Sequence, residues 1–253
     1  MLGLDPDPAA LWPGAADVSD HCRLAIEAAG PACVAAKLQL ACFERLGADG
    51  WAALHEVAGH AREAGLLVIA DGKRGDVPVT ARAYAEAFTG LGADAHTANP
   101  LLGRDSLEPL TTTGAGCFVL VRTSNPGAAD VQDLDVGGAP LWEYLARLVD
   151  ELGGGEARGQ CGLSSVGAVT GATRPEHLAR MRELMPNAIF LLPGVGAQGG
   201  RVEELGPAFE PHPAAGLVTA SRSIVNAHIE HGGDPAGAAA AAAEELRAAV
   251  ANL

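Results

Sequence analysis

Short apolar runs recur along the chain, each followed by a helix-length segment, and this alternation restricts the fold more than any other feature. The runs fall at Leu2–Leu4, 33–37, 66–70, 94–97, 117–122, 163–169, 189–192 and Gly216–Thr219. Helical spacing of apolar residues marks Val18–Ala29, 50–64, 79–90, Leu141–Leu152, 175–185, 224–230 and 235–250. Ser19 or Asp17 is placed to cap the first of these. Strands separated by helices pair in parallel, and eight such strands close a barrel. An open doubly wound sheet is the alternative. The two differ in where polar residues collect. An open sheet gathers them at one switch point, whereas a barrel brings every strand end to one rim. Here they follow the runs all along the chain, at Asp5, Lys37, Asp71, Asn99, Thr123-Ser124-Asn125, Gly194 to Gly200, and Ser221-Arg222. The expectation is an α/β chain folded as one (β/α)8 TIM barrel domain over residues 1–253. A length of 253 residues suits that domain, which typically takes about 250.

Charge narrows the function. The formal net charge of −14 opposes binding to nucleic acid and to anionic membranes. An anionic substrate must therefore be caught by local cations. No apolar run approaches the roughly 20 residues of a membrane span. The opening residues Met1-Leu2-Gly3-Leu4-Asp5 have no basic-then-apolar signal pattern, so a cytoplasmic location is expected. The five cysteines (22, 33, 42, 117 and 161) are scattered, which reads as reduced thiols, most of them in the core. The histidine pairs 55/60 and 228/231 lack a third ligand or a shared helix face and read as surface residues.

Three constellations could carry chemistry. Asp71-Gly72-Lys73-Arg74-Gly75-Asp76 follows the apolar run 66–70. In extended backbone Asp71 and Lys73 point the same way, and a lysine between carboxylates keeps its proton. Asp76 starts the next helix, where a carboxylate also serves as a cap. Spacing alone leaves both a charged site and a solvated turn open. Pro193-Gly194-Val195-Gly196-Ala197-Gln198-Gly199-Gly200 follows the seventh run, and its glycines allow main-chain amides to form a concave anion nest. Ser221-Arg222 follows the eighth run and opens a helix, with a planar donor fork beside the helix N-terminus. Loops seven and eight are the usual phosphate position of such barrels.

These motifs together resemble the orotidine 5′-phosphate decarboxylase family, in the branch with an Asp-x-Lys-Arg-Gly-Asp signature. Leu4-Asp5-Pro6, Lys37-Leu38-Gln39, Phe43-Glu44-Arg45-Leu46-Gly47 and Arg122-Thr123-Ser124-Asn125-Pro126 match in the family's order, so the resemblance runs over nearly the whole chain. It implies decarboxylation of orotidine 5′-monophosphate to UMP with no metal and no organic cofactor. Lys73 would protonate C6, Asp71 would sit against the substrate carboxylate, and Lys37 would join that network. Asp76 and Thr80 would reach the neighbouring subunit's site, which implies a homodimer with shared active sites. Asp5 would bind ribose hydroxyls, and Thr123 and Ser124 would face the pyrimidine. Gln198 and Arg222, with the backbone of Gly199, would hold the phosphate, and Pro193 would contact the substrate.

The chain departs from the branch at Gly72, Leu38, Pro78, His96, Ala98 and Leu101. These departures leave open a paralogue with altered nucleotide or inhibitor tolerance, or one that binds without turnover. A magnesium-dependent sugar-phosphate decarboxylase is the enzymatic rival. It would need an extra carboxylate near strand two, which Cys33-Val34-Ala35-Ala36-Lys37 does not offer.

Overall fold

The computed structural model describes residues 1–154, 161–196 and 199–253. Strands β1 (Leu2–Leu4), β2 (Ala35–Gln39), β3 (Leu67–Arg74), β4 (Ala95–Ala98), β5 (Gly116–Arg122), β6 (Val166–Thr170), β7 (Phe190–Pro193) and β8 (Gly216–Thr219) form one sheet in chain order. Pairing is parallel between β1 and β2, β2 and β3, β5 and β6, and β6 and β7. Leu2 also bridges Ala220, just past β8, in parallel. This is the connectivity of a (β/α)8 barrel, with helices between the strands as the alternation requires.

The helices are α1 (Val18–Ala29), α2 (Leu40–Glu44), α3 (Gly47–Glu63), α4 (Pro78–Leu91), α5 (Arg104–Thr111), α6 (Leu141–Leu152), α7 (Pro175–Leu184), α8 (Arg222–Val225), α9 (Ala227–His231) and α10 (Pro235–Ala251). Of the two candidate caps for α1, Asp17 serves, and its carboxylate accepts from the Asp20 amide at 2.9 Å. The expected helix at 224–230 is instead two short ones, α8 and α9, broken at Asn226. Helices α2 and α5 were not legible. The first has five residues, and the second carries Pro109 inside it and buries only Ser106, Leu107 and Leu110.

The chain packs as two compact units. The first comprises Met1–Gly72, Gly90–Ala95 and Thr219–Asn252, and the second Lys73–Thr89 and His96–Val218. The first is built around Leu2, Leu4, Ile26, Leu38, Phe43 and Leu54, all within 2% of full burial. Its α10 packs on α1 and buries only Ala239 and Ala243, so the alanine-dense helix contributes little apolar bulk. The second is built around Leu107, Leu110, Val119, Leu178, Met181 and Phe190.

Cysteine burial is lower than expected. Cys22 and Cys117 are buried, Cys33 and Cys42 half-buried, and Cys161 exposed. The glycine-rich stretch that begins at Gly153 continues into residues 155–160, outside the described ones.

His96 on β4 is fully buried and stacks on Phe88 of α4, with ring centroids 4.7 Å apart and planes 14° apart. The ring lies near the Leu110 backbone, but neither nitrogen makes a well-formed hydrogen bond. Burial therefore favours the neutral ring and lowers its pKa to about 4. The unfolded chain, with an ordinary histidine pKa, binds the extra proton first. Stability is thus fully present above about pH 6.5 and falls as pH drops towards 4, by about 3 kcal/mol. Urea unfolding at pH 7 and at pH 4.5 should show this loss in the wild type and a smaller loss in His96→Leu. Equal losses in both would remove His96 as the cause.

Candidate active site

The described site residues divide between the two units. Asp5, Lys37, Asp71 and Arg222 belong to the first. Lys73, Asp76, Thr80, Thr123, Ser124, Pro193 and Gly199 belong to the second. Gln198 lies outside the described residues.

In the first unit, β2 ends in Lys37-Leu38-Gln39 and β3 carries Asp71 opposite Gln39 in register. Lys37 and Asp71 are both buried, at 6% and 3% exposure. The Lys37 ammonium donates to Asp71 Oδ2 at 2.7 Å, and Gln39 Nε2 approaches the same oxygen at 3.5 Å. Asp5, at the end of β1, holds a second carboxylate oxygen 3.9 Å from Lys37 Nζ. Lys37 therefore lies between two carboxylates. A buried carboxylate persists as an anion only with such a partner. Asp5 and Arg222 also line one cleft, together with His21, Cys22, Ser221 and Asn226. Arg222 is exposed and opens α8.

The charged segment that begins at Asp71 is not a turn past a strand. Strand β3 runs on through Lys73 to Arg74, so Asp71 and Lys73 are strand residues. Lys73 is not in extended backbone as expected, since its φ is 46°. That is the left-handed region, which lysine seldom enters. The Lys73 amide donates to Thr97 Oγ1 of β4 at 2.8 Å. Asp76 is not the helix cap either. Helix α4 opens at Pro78, a position that suits proline, and the Asp76 carboxylate accepts from the Val77 amide at 2.7 Å. Thr80 lies in the first turn of α4 and is half-buried.

The stretch after β5 is held from further along the chain. Gln132 Oε1 accepts from the Thr123 amide at 2.8 Å, and Gln132 Nε2 lies 3.2 Å from the Thr123 hydroxyl. Beside it, buried Arg122 grips Asp133 with two bonds of 2.9 Å, which holds the Asp133 carboxyl below its usual range. Ser124 passes so close to Gly171 that a Cβ there would sit 2.7 Å from the Ser124 amide nitrogen and Cα. Gly171 is thus required by close approach, a role that the sequence did not reveal. Pro193 ends β7, and its carbonyl accepts from the Ala172 amide at 2.9 Å. The glycine loop closes on itself through Gly200 N–H to the Gly194 carbonyl at 3.0 Å and Gly199 N–H to the Gly196 carbonyl at 2.8 Å. Gly199 is exposed with φ 89°.

Among the described residues, no group of three His, Cys, Asp or Glu side chains is placed to hold a metal ion. Of the two histidine pairs, His55 and His231 are exposed, whereas His228 is half-buried and lies edge-on to Trp12 at 6.3 Å. Of the departures, Leu38 and Ala98 are fully buried and Leu101 is 78% exposed.

The family model for the orotidine 5′-phosphate decarboxylase / HUMPS family matches residues 1–242. The chain belongs to that family. A relative from Rhodopirellula baltica, named orotidine 5′-phosphate decarboxylase, is 45% identical over 226 residues, covering 85% of this chain and 74% of that relative. One of the same name from Deinococcus radiodurans is 41% identical, covering 98% of this chain and 92% of its own. The solved structure of Leishmania donovani OMP decarboxylase superposes with a TM-score of 0.82 at 36% identity, covering 99% of this chain and 92% of that one. These likenesses extend over the whole alternating pattern and agree with the barrel connectivity. No helix among the described residues is long and apolar enough to cross a membrane.

Proposed function

We propose that this carboxy-lyase decarboxylates orotidine 5′-monophosphate to UMP, the last step of de novo pyrimidine synthesis, without metal or cofactor. The working unit is a homodimer in the cytoplasm, each chain a single barrel domain over residues 1–253. The observation that carries the reading is the buried Lys37–Asp71 pair, with Lys73 two residues further along β3 in a strained backbone. A chain spends stability on buried charge and on a strained lysine where chemistry uses them.

In the proposed reaction the C6–carboxylate bond breaks, carbon dioxide departs, and the electron pair stays at C6. The Lys73 ammonium gives its proton to that carbon and ends neutral. A fixed cation beside the forming carbanion stabilises the charge as it develops, most strongly where water is excluded. Asp71 stands against the departing carboxylate, and Lys37 holds Asp71 in place through its 2.7 Å bond. Asp5 takes the ribose hydroxyls, and Thr123 and Ser124 address the pyrimidine edge. Gln198 and Arg222, with the Gly199 backbone, hold the phosphate, whose distant binding energy helps to organise the reacting end, and Pro193 contacts the substrate. Asp76 and Thr80 serve the neighbouring subunit's site.

Purified protein should deplete the ultraviolet absorbance of orotidine 5′-monophosphate at the same rate with and without EDTA. Absence of turnover would contradict the reading. Turnover that appears only on addition of magnesium would point to sugar-phosphate-type chemistry instead.

A further inference from the structure

Three features at the start of the second unit lock the end of β3 to the end of β4. The Lys73 amide donates to Thr97 Oγ1 at 2.8 Å. The Asn99 amide donates to the Arg74 carbonyl at 2.8 Å. Gly75 packs so tightly on Asn99 that a Cβ would lie 2.7 Å from the Asn99 carbonyl oxygen. Two of these contacts are main-chain, and many side chains at positions 74 and 99 would permit them. The first depends on a particular side chain. Thr97 is fully buried, so its hydroxyl is shielded from water and accepts a bond that water does not weaken. The bond falls on the one non-glycine residue among those described with positive φ. That conformation costs a lysine stability and persists only where its surroundings impose it.

We infer that Thr97 is a positioning residue for Lys73, its hydroxyl holding the lysine backbone in the left-handed conformation from which the side chain is delivered. This rests on the reading of Lys73 as proton donor. The physical need is direct. A lysine carries its ammonium on a flexible four-carbon stem, so the direction in which the stem leaves the backbone fixes where the charge can go. Were Lys73 extended like the rest of β3, its Cα–Cβ bond would leave the strand in a different direction. Small misplacements of a reacting group are costly in rate. Thr97 itself gives nothing to the substrate in this account. It acts through Lys73.

The test uses the full chain with valine or serine at position 97. Thr97→Val keeps the shape and removes the acceptor. Thr97→Ser keeps the acceptor and removes a methyl. Thr97→Val should lower kcat by about 10- to 100-fold, with KM for orotidine 5′-monophosphate and Kd for UMP within about threefold of wild type. Thr97→Ser should return kcat to within about threefold of wild type. Wild-type kcat in the valine variant, or a serine variant as slow as the valine one, overturns the inference.

A second measurement needs no turnover and so stands apart from the reaction assignment. Glycine adopts positive φ without support. Thr97→Val should therefore lower Tm by about 2–4 °C more in the Lys73 chain than in a Lys73→Gly chain. Equal losses in the two backgrounds, or failure to fold in both, would make Thr97 an ordinary core residue and overturn the inference. If the wild type proves inactive while this difference appears, the reaction assignment fails and the positioning of Lys73 stands.

Discussion

Lys73→Ala yields a folded protein whose kcat falls by about 10⁴-fold or more, because the proposed reaction then has no acid at C6 and no cation beside the carbanion. The fold should survive for a local reason. Alanine and lysine pay a similar cost at φ 46°, so the exchange adds little backbone strain. Lys73→Gly sharpens the separation. It removes the ammonium as completely, yet relieves the strain, and should be as stable as wild type or more so by up to about 1 kcal/mol. Steady-state kinetics and urea unfolding of both variants check this. Retained activity in either would sink the assignment of the proton donor. A collapse of the fold in the alanine variant would mean that the side chain supports structure instead.

Arg182→Met should be the most damaging single change to stability outside the site, costing about 3 kcal/mol or more and lowering Tm by about 6–12 °C. Arg182 stands in the last turn of α7, and its guanidinium gathers main-chain carbonyls from beyond the helix end. It donates to the Met185 carbonyl at 2.9 Å, the Ala188 carbonyl at 2.7 Å and the Ala208 carbonyl at 2.7 Å. It also stacks 3.9 Å from the centroid of Phe190 on β7. Burial lowers its pKa to about 10, which still leaves it charged at neutral pH. A methionine fills the space but takes the donor from the Ala188 and Ala208 oxygens, while the Met185 carbonyl keeps only the Ala188 amide at 3.3 Å. Lysine recovers little, since a point donor cannot reach carbonyls spread around a planar fork. Turnover per folded molecule should not change. A variant with wild-type Tm would show that the carbonyls find other partners.

The barrel was legible in the sequence because its signal is redundant. Each strand is a short apolar run with a polar residue at its end, and one misjudged boundary leaves the alternation intact. Strand β6 begins at Val166, three residues later than the apolar run suggests, without changing the topology. Short or proline-bearing helices such as α2 and α5 lack the length over which helical spacing becomes visible. At the site, residue types were legible and their supports were not. Asp71, Lys73 and Asp76 announce themselves by charge. Nothing in an Asp-Gly-Lys-Arg sequence announces a left-handed lysine, because that conformation is imposed from β4. Thr97, Gln132, Asp133 and Gly171 act by closeness in space to residues 9 to 47 positions away, and no local pattern encodes such contacts.

The proposed decarboxylation ends with a proton placed at C6. EDTA-treated protein can be given orotidine 5′-monophosphate in D2O and the product read by proton NMR. The expected product is UMP carrying deuterium at C6, formed in step with carbon dioxide. Unchanged substrate, or conversion that starts only once magnesium is supplied, would contradict it.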